Sequence, residues 1–275
     1  GSAPRVAAVR EVIEEIAAEN GYHFTMAVIH ADQSHDYLLQ KLAAGKIEPL
    51  WPIADATPDT IEGTHRCVGM MGVEPFQQAL RDGAQVVIAG RATDASIYSA
   101  IPLMHGYDPG LVWHLSKIIE CAGAVAVPKT GQDCIVGTLN ADHFLVAPAH
   151  PESRCTRMSI AAHTLYENPS PYHLEEPEGT VVTVDSEYEQ VDHRTVRVSG
   201  SRFEHSNRYT VKLEGVRRSG YRTVFIAGAR DPGLIGIIDD YIESCRQRVR
   251  NQVGALGIED SEYQLSIRVY GKSGT

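Results

Sequence analysis

Basic residues are in deficit. The chain carries 25 Lys and Arg against 35 Asp and Glu, a formal net charge of −10 with His neutral. That balance leaves no excess to neutralise a phosphate backbone, which excludes a general nucleic-acid binder. It does not exclude a small anionic ligand, because one arginine beside a helix N-terminus makes a local anion site. Long apolar runs are missing as well. No stretch of about 18 apolar residues occurs, so no membrane partner is expected. The first helix is studded with Arg10, Glu11, Glu14 and Glu15, unlike the apolar heart of a secretory leader. The five cysteines, Cys67, Cys121, Cys134, Cys155 and Cys245, are scattered and odd in number. Their spacing suits neither a disulfide framework nor a zinc knuckle, and a reducing cytoplasm is the expected setting.

Several catalytic signatures are absent too. There is no His-Glu-x-x-His, no Gly-x-Ser-x-Gly, no phosphate-loop Gly-Lys-Ser/Thr and no Gly-x-Gly-x-x-Gly. Zinc proteases, elbow serine hydrolases, P-loop enzymes and dinucleotide folds lose their usual marks. No metal site is expected, and neither repeats nor low-complexity segments appear.

What is present suits a soluble α/β chain. Hydrophobic residues make up 43% of 275, enough to fill one large core or two modest ones. Val86-Val87-Ile88-Ala89, bounded by Gly83 and Gly90, reads as a buried parallel strand. His23 to Ile29 is expected to run parallel to it. Thr93 or Asp94 is the expected N-cap of a helix carrying Ile97, Tyr98 and Ile101. Other helix signals are Asn20-Gly21 as a C-cap, Ser34 and Asp108-Pro109 as N-caps, and Pro75 in a first turn. Met158 to Glu167 reads as a short helix. Beyond it the expected strands are Gly179–Val184, Thr195–Val198, Tyr209–Leu213, Tyr221–Ala227 and Tyr263–Tyr270, with one long helix after Asp231-Pro232. The expected architecture is α/β, a largely parallel sheet with helices on both faces, followed by a β-rich α+β portion. A soft boundary near residue 150 separates 1–150 from 151–275.

In open α/β sheets, ligands sit beyond the carboxyl ends of strands. The candidate site is therefore the Gly90-Arg91 turn with Thr93 and Asp94. Arg91 suits a carboxylate or phosphate and Asp94 proton transfer; the bland alternative is that the two simply pair with each other or cap the helix. Further candidates are His30, which follows a strand end beside Asp32, and Gly72 in the glycine-flanked entry Val68 to Pro75, which taken alone a tight turn explains better. His114 sits on a helix edge one turn before Lys117, and His163 precedes Tyr166, Glu167 and Asn168.

Several of these segments together resemble the acyclic terpene utilisation (AtuA-type) family. They are Val68-Gly69-Met70-Met71-Gly72-Val73-Glu74-Pro75, Gly90-Arg91-Ala92-Thr93-Asp94, Trp113-His114 with Glu120-Cys121, and His163 to Asn168. Val196 to Ser201, Tyr209 to Gly215 and Arg268 to Gly271 continue the likeness. The resemblance implies a longer protein extending past both ends of this chain. It also implies a role in the catabolism of branched or terpenoid acyl groups, with coenzyme A as part of the substrate. Two readings follow. One is a hydratase or lyase in which Arg91 holds the anionic group while Asp94 and His114 move protons. The other is a ligand-binding or scaffolding subunit. A homo-oligomer is expected in either.

Overall fold

A computed structural model describes residues 5–50, 52–129 and 134–271. The chain divides into two compact units, one running to Arg218 and the other beginning at Ser219.

The first unit opens with α1 (Val6–Asn20), which Gly21 ends at φ 67°. The Tyr22 amide returns to the Ala17 carbonyl at 2.9 Å, so the left-handed glycine satisfies the last turn. Strand β1 (Met26–Ile29) then pairs in parallel with β4 (Val86–Ala89), Met26 opposite Val86. Between them lie β2 (Asp32–Gln33), α2 (His35–Ala43), α3 (Pro58–Glu62), β3 (Thr64–Gly69) and α4 (Glu74–Arg81). The expected Ser34 cap forms, its hydroxyl accepting the Tyr37 amide at 3.3 Å. After β4 come α5 (Ser96–Met104) and α6 (Pro109–Glu120); Asp108 caps α6 by accepting the Leu111 amide at 3.1 Å.

The expectation of a largely parallel sheet is corrected here. Among the described residues β1–β4 is the only parallel sheet, and it has two strands. Strand β3 pairs antiparallel with β2 and with β14 (Leu213–Arg217). Strands β6 (Ile135–Leu139), β7 (His143–Pro148), β11 (Glu187–Gln190) and β12 (Val196–Ser199) form an antiparallel sheet in the order β11-β12-β7-β6. Strands β9 (His173–Glu176), β10 (Gly179–Val182) and β13 (Arg202–His205) form another, in the order β13-β10-β9. The reason is connection length. Only Asn140 to Asp142 joins β6 to β7, and only Pro177-Glu178 joins β9 to β10. Links that short can make hairpins but not the crossover a parallel pair needs. The change of pattern near residue 150 falls inside one sheet, where Val146 of β7 lies opposite Val196 of β12.

Helix α6 sits at the centre. Its residues Gly110 to Ser116 and Ile118 are all buried. A helix buried on nearly every side is a core helix rather than a surface one. Trp113 packs with Phe76, Ala95, Leu174 and Val181. Leu111, Leu115 and Ile118 pack with Phe144, Val146, Val196 and Val198. Each fully buried side chain of this size stabilises the fold by about 1.5–3 kcal/mol. Gly110 lets α6 approach β13, since a Cβ there would lie 2.6 Å from Arg202 Cα.

Three expected strands shift or are not formed. Pairing near Tyr209 begins at Leu213 instead, because the preceding residues spend their groups elsewhere: Thr210 donates to the Pro177 carbonyl at 3.1 Å and Lys212 accepts from Met70 at 2.9 Å. Tyr221–Ala227 and Tyr263–Tyr270 join no ladder. Alternation decides which side chains can face a core, not whether a neighbouring strand is there to pair. The short helix after residue 156 is α7 (Arg157–His163), boxed by Thr156 and Ser159, and it ends before Glu167, whose φ is 58°.

In the second unit, Asp231 caps α8 (Pro232–Gly236) by accepting the Leu234 amide at 2.8 Å. The single long helix expected there is broken. Gly236 has low helix propensity, Ile237 leaves helical geometry at ψ 24°, and α9 (Ile238–Ala255) restarts beyond it.

Candidate functional site

The end of β4 is held by close backbone approach. A Cβ on Gly90 would lie 2.7 Å from the Ala31 Cβ and 2.9 Å from its nitrogen. Glycine is therefore required for β1 and β4 to draw together, and the Gly90 amide reaches the Ile29 carbonyl at 2.8 Å. The turn beyond is pinned on its other side. Met71 donates to the Arg91 carbonyl at 3.2 Å and accepts from the Thr93 amide at 2.9 Å. Past this turn opens a pocket of about 280 Å³. Phe76, Val87, Ala89, Ala92, Ile97 and Tyr98 supply its apolar wall, and Thr93, Asp94 and Glu120 its polar one.

Arg91 is already engaged at this turn. Its Nη1 donates to Asp94 Oδ1 at 2.6 Å and its Nε to Glu214 Oε2 at 3.1 Å. Burial works to lower its pKa, but the two carboxylates outweigh it and hold the guanidinium above its ordinary value. Neither Thr93 nor Asp94 caps α5, as the sequence had suggested. The N-cap is Ala95, in helical geometry and without a side-chain bond. The Asp94 carboxylate is drawn away to Arg91, and the Thr93 hydroxyl bonds the Ser96 hydroxyl.

Behind the pocket lies a group of buried charges. Lys117 Nζ is 3.1 Å from Glu120 Oε1 and 3.9 Å from Glu176 Oε1. The side chains are 19%, 7% and 1% exposed in the order Lys117, Glu120, Glu176. Burial would lower the Lys117 pKa, but both carboxylates raise it further, so the ammonium is kept. Glu120 is pushed up, chiefly by burial, with Lys117 opposing. Glu176 is pushed up to about 7, again by burial first, with Lys117 and the Thr93 hydroxyl pulling down and Glu120 pushing up. Glu120 Oε2 and Glu176 Oε2 are both buried and without a hydrogen-bond partner. Two buried carboxyls whose pKa values are both raised, beside an ammonium and a cleft, form an arrangement able to hold and move a proton near neutrality.

The other sequence candidates lie elsewhere. His114 is fully buried and absent from the pocket lining. Its Nδ1 meets the Ser201 hydroxyl at 2.7 Å, and its ring meets Phe144 edge-on at 5.4 Å. Burial, then the nearby His163, lowers its pKa to about 3, so it is a neutral core residue. His163 falls to about 4, through burial and then Lys117. His30 is exposed and outside the lining. Gly72 is fixed structurally: its amide reaches the Tyr209 hydroxyl at 3.2 Å, and that hydroxyl donates to Glu74 Oε2 at 2.7 Å. The structure thus brings Gly90, Arg91, Thr93 and Asp94 into one turn, while His30, Gly72 and His114 do not line the pocket beside it.

Sequence reasoning passed over Lys117 and Glu120 as site residues and missed Glu176 altogether. The signal for Glu176 was its parity with Leu174. In a strand the two share a face, and both are buried while His173 and Glu175 are exposed. Among the described residues no group of three or more His, Cys, Asp or Glu side chains could hold a metal ion. No helix of the described residues is long and apolar enough to cross a membrane.

Residues 2–129 match the family described as acyclic terpene utilisation family protein AtuA, so this stretch is similar to that family. It includes Gly90 to Asp94, Lys117 and Glu120, while Glu176 lies beyond it. No curated protein and no solved structure matches the chain.

Proposed function

With that similarity as premise, we propose that this chain serves the catabolism of branched, terpenoid acyl groups, as a hydratase or lyase working through proton transfer. The observation that carries this reading is Glu176, a carboxyl 1% exposed, with its pKa pushed to about 7 beside Lys117 and Glu120. Such a group is poised to exchange a proton at neutral pH. Glu120 and Thr93 connect it to the pocket wall. A volume of about 280 Å³ is small for a drug-sized ligand, so the pocket suits the acyl end of a thioester, with any coenzyme A portion outside. In this reading Arg91 orders the turn rather than holding the substrate's anion, because its charge is already met by two carboxylates, Asp94 at Nη1 and Glu214 at Nε.

The test is turnover of branched enoyl- and hydroxyacyl-coenzyme A thioesters, with gain or loss of water followed by mass. Glu176→Gln should slow wild-type turnover by about a hundredfold or more, the usual share of a positioned acid or base, without loss of folding. An unchanged rate in Glu176→Gln would remove the assignment. A second reading, a ligand-binding or scaffolding subunit of a catabolic complex, is favoured by Arg91 and Lys117 both being ion-paired already. Ligand binding without turnover by wild type would select it. The proposal includes a cytoplasmic homo-oligomer, which light scattering of the purified protein checks.

A further inference from the structure

Three facts about the pocket beyond β4 bear on what enters it. Its charges are already balanced pairwise: Asp94 by Arg91 at 2.6 Å and Glu120 by Lys117 at 3.1 Å. Glu214, the other partner of Arg91, lies 3.4 Å from Lys212. A carboxylate entering here would meet Asp94 and Glu120 beside cations already ion-paired, and an ammonium would find both carboxylates already paired. Within the pocket wall one buried acceptor is left over. Glu120 belongs to the pocket wall, its side chain is 7% exposed, and its Oε2 is shielded from water without a hydrogen-bond partner. A shielded acceptor without a donor carries a desolvation cost that an incoming donor would relieve. Phe76, Val87, Ala89, Ala92 and Ile97 offer hydrocarbon, and the Thr93 hydroxyl is already bonded to that of Ser96.

From these we infer that the pocket recognises an uncharged hydroxyl on a branched hydrocarbon frame, with Glu120 Oε2 as the acceptor and Ile97, Val87 and Phe76 around the frame. The inference deepens the proposed function and rests on it in placing the substrate at this pocket. It assigns the hydroxyl-bearing partner of a hydration–dehydration pair, rather than a free acid, as the form held there. An alkyl hydroxyl supplies the one missing donor and brings no charge to be neutralised. Specificity then arises against the charged analogues, which would have to break an existing ion pair to enter.

The experiment uses three probes on one branched frame: isopentanol, isovalerate and isopentylammonium. Each is titrated into the isotopically labelled protein at neutral pH, and side-chain methyl shifts of Ile97 and Val87 are followed. The expected result is that the alcohol binds about tenfold more tightly than either charged probe, one hydrogen bond to a charged group less competing hydration, and shifts both methyls. Glu120→Gln should weaken the alcohol by about tenfold and leave isovalerate no weaker than before. Equal affinity for all three probes, preference for isovalerate or isopentylammonium, shifts confined to other methyls, or no binding by any probe would each overturn the inference. So would an unaltered alcohol affinity in a folded Glu120→Gln. The readout is binding, so it stands apart from turnover: a protein that binds the alcohol but turns over no thioester refutes the catalytic reading alone.

Discussion

Replacing Glu176 by glutamine should make the protein more stable at alkaline pH and leave it nearly unchanged in acid. In the fold, burial raises this carboxyl from its ordinary 4.5 to about 7. A carboxyl raised on folding binds its proton more tightly in the native state than in the unfolded chain. Between pH 4.5 and 7 the native state therefore holds more protons, and stability falls as pH rises through that window. The contribution is fully present below pH 4.5 and lost above 7. The gap between 4.5 and about 7 corresponds to about 3 kcal/mol at 1.36 kcal/mol per tenfold step. The side chain is 1% exposed, so solvent screening does little to reduce the figure. Glutamine keeps the shape of the protonated form and cannot ionise. Part of the gain is offset because Lys117, 3.9 Å away, loses one of its two carboxylates. Glu176→Gln should therefore exceed wild type by about 1–3 kcal/mol at pH 8 and match it within about 0.5 kcal/mol near pH 4.5. Urea unfolding of both proteins at the two pH values gives the numbers. Groups common to both proteins cancel in the difference. A difference that is the same at both pH values would refute the reasoning, because Glu176 would then not be the titrating group.

His114 and His163 act with the opposite sign. Their pKa values fall to about 3 and about 4, so stability present above pH 6.5 is lost as pH falls, by up to about 2 kcal/mol each between pH 6.5 and 5. His163→Gln should flatten that acid limb in denaturant titrations, and an unchanged slope would count against it. Arg91→Lys keeps one charge but cannot reach Asp94 and Glu214 with two aligned donors. Because Asp94 is half exposed, the loss is held to about 1 kcal/mol, and an unaltered melting temperature would show the bridge to be idle. Gly90→Ala drives a methyl to 2.7 Å from Ala31 and should cost about 1–3 kcal/mol. Gly123→Ala, which meets nothing within 4 Å, is the matched control and should stay within about 0.5 kcal/mol of wild type.

Local chemistry was legible in the sequence wherever a residue acts on its own neighbours. Ser34, Asp108 and Asp231 cap the helices that follow them, and Gly21 closes α1, because capping needs only a side chain and amides a few positions away. The parallel pairing of Val86–Ala89 with Met26–Ile29 followed from two short β-branched runs separated by helices. Sheet composition was not legible beyond α6, because hairpin links of two or three residues carry little signal against a general α/β pattern. The site was half legible. Gly90 to Asp94 announced itself by its place after a strand, but the role of Arg91 depends on Glu214, 123 residues further along. Glu176 stands in the run His-Leu-Glu-Glu-Pro-Glu-Gly, where any of three acids could face inward until strand parity is known. His114 looked accessible on a helix read as one-faced. It is sealed because α6 is covered on its other faces by β-sheet that lies later in the chain.

Helix α6 therefore belongs to two interiors at once, through Trp113 on one side and Leu111, Leu115 and Ile118 on the other. Neither interior can come apart without stripping a wall from its neighbour. The amides of this helix should accordingly exchange with deuterium as one class, released by whole-unit opening rather than by fraying from either side. Cleaving the chain near residue 150 would divide β7 from β12, whose valines close one of those interiors, and leave α6 with half its cover gone. The two fragments should be unstructured apart and recover their protection only when mixed.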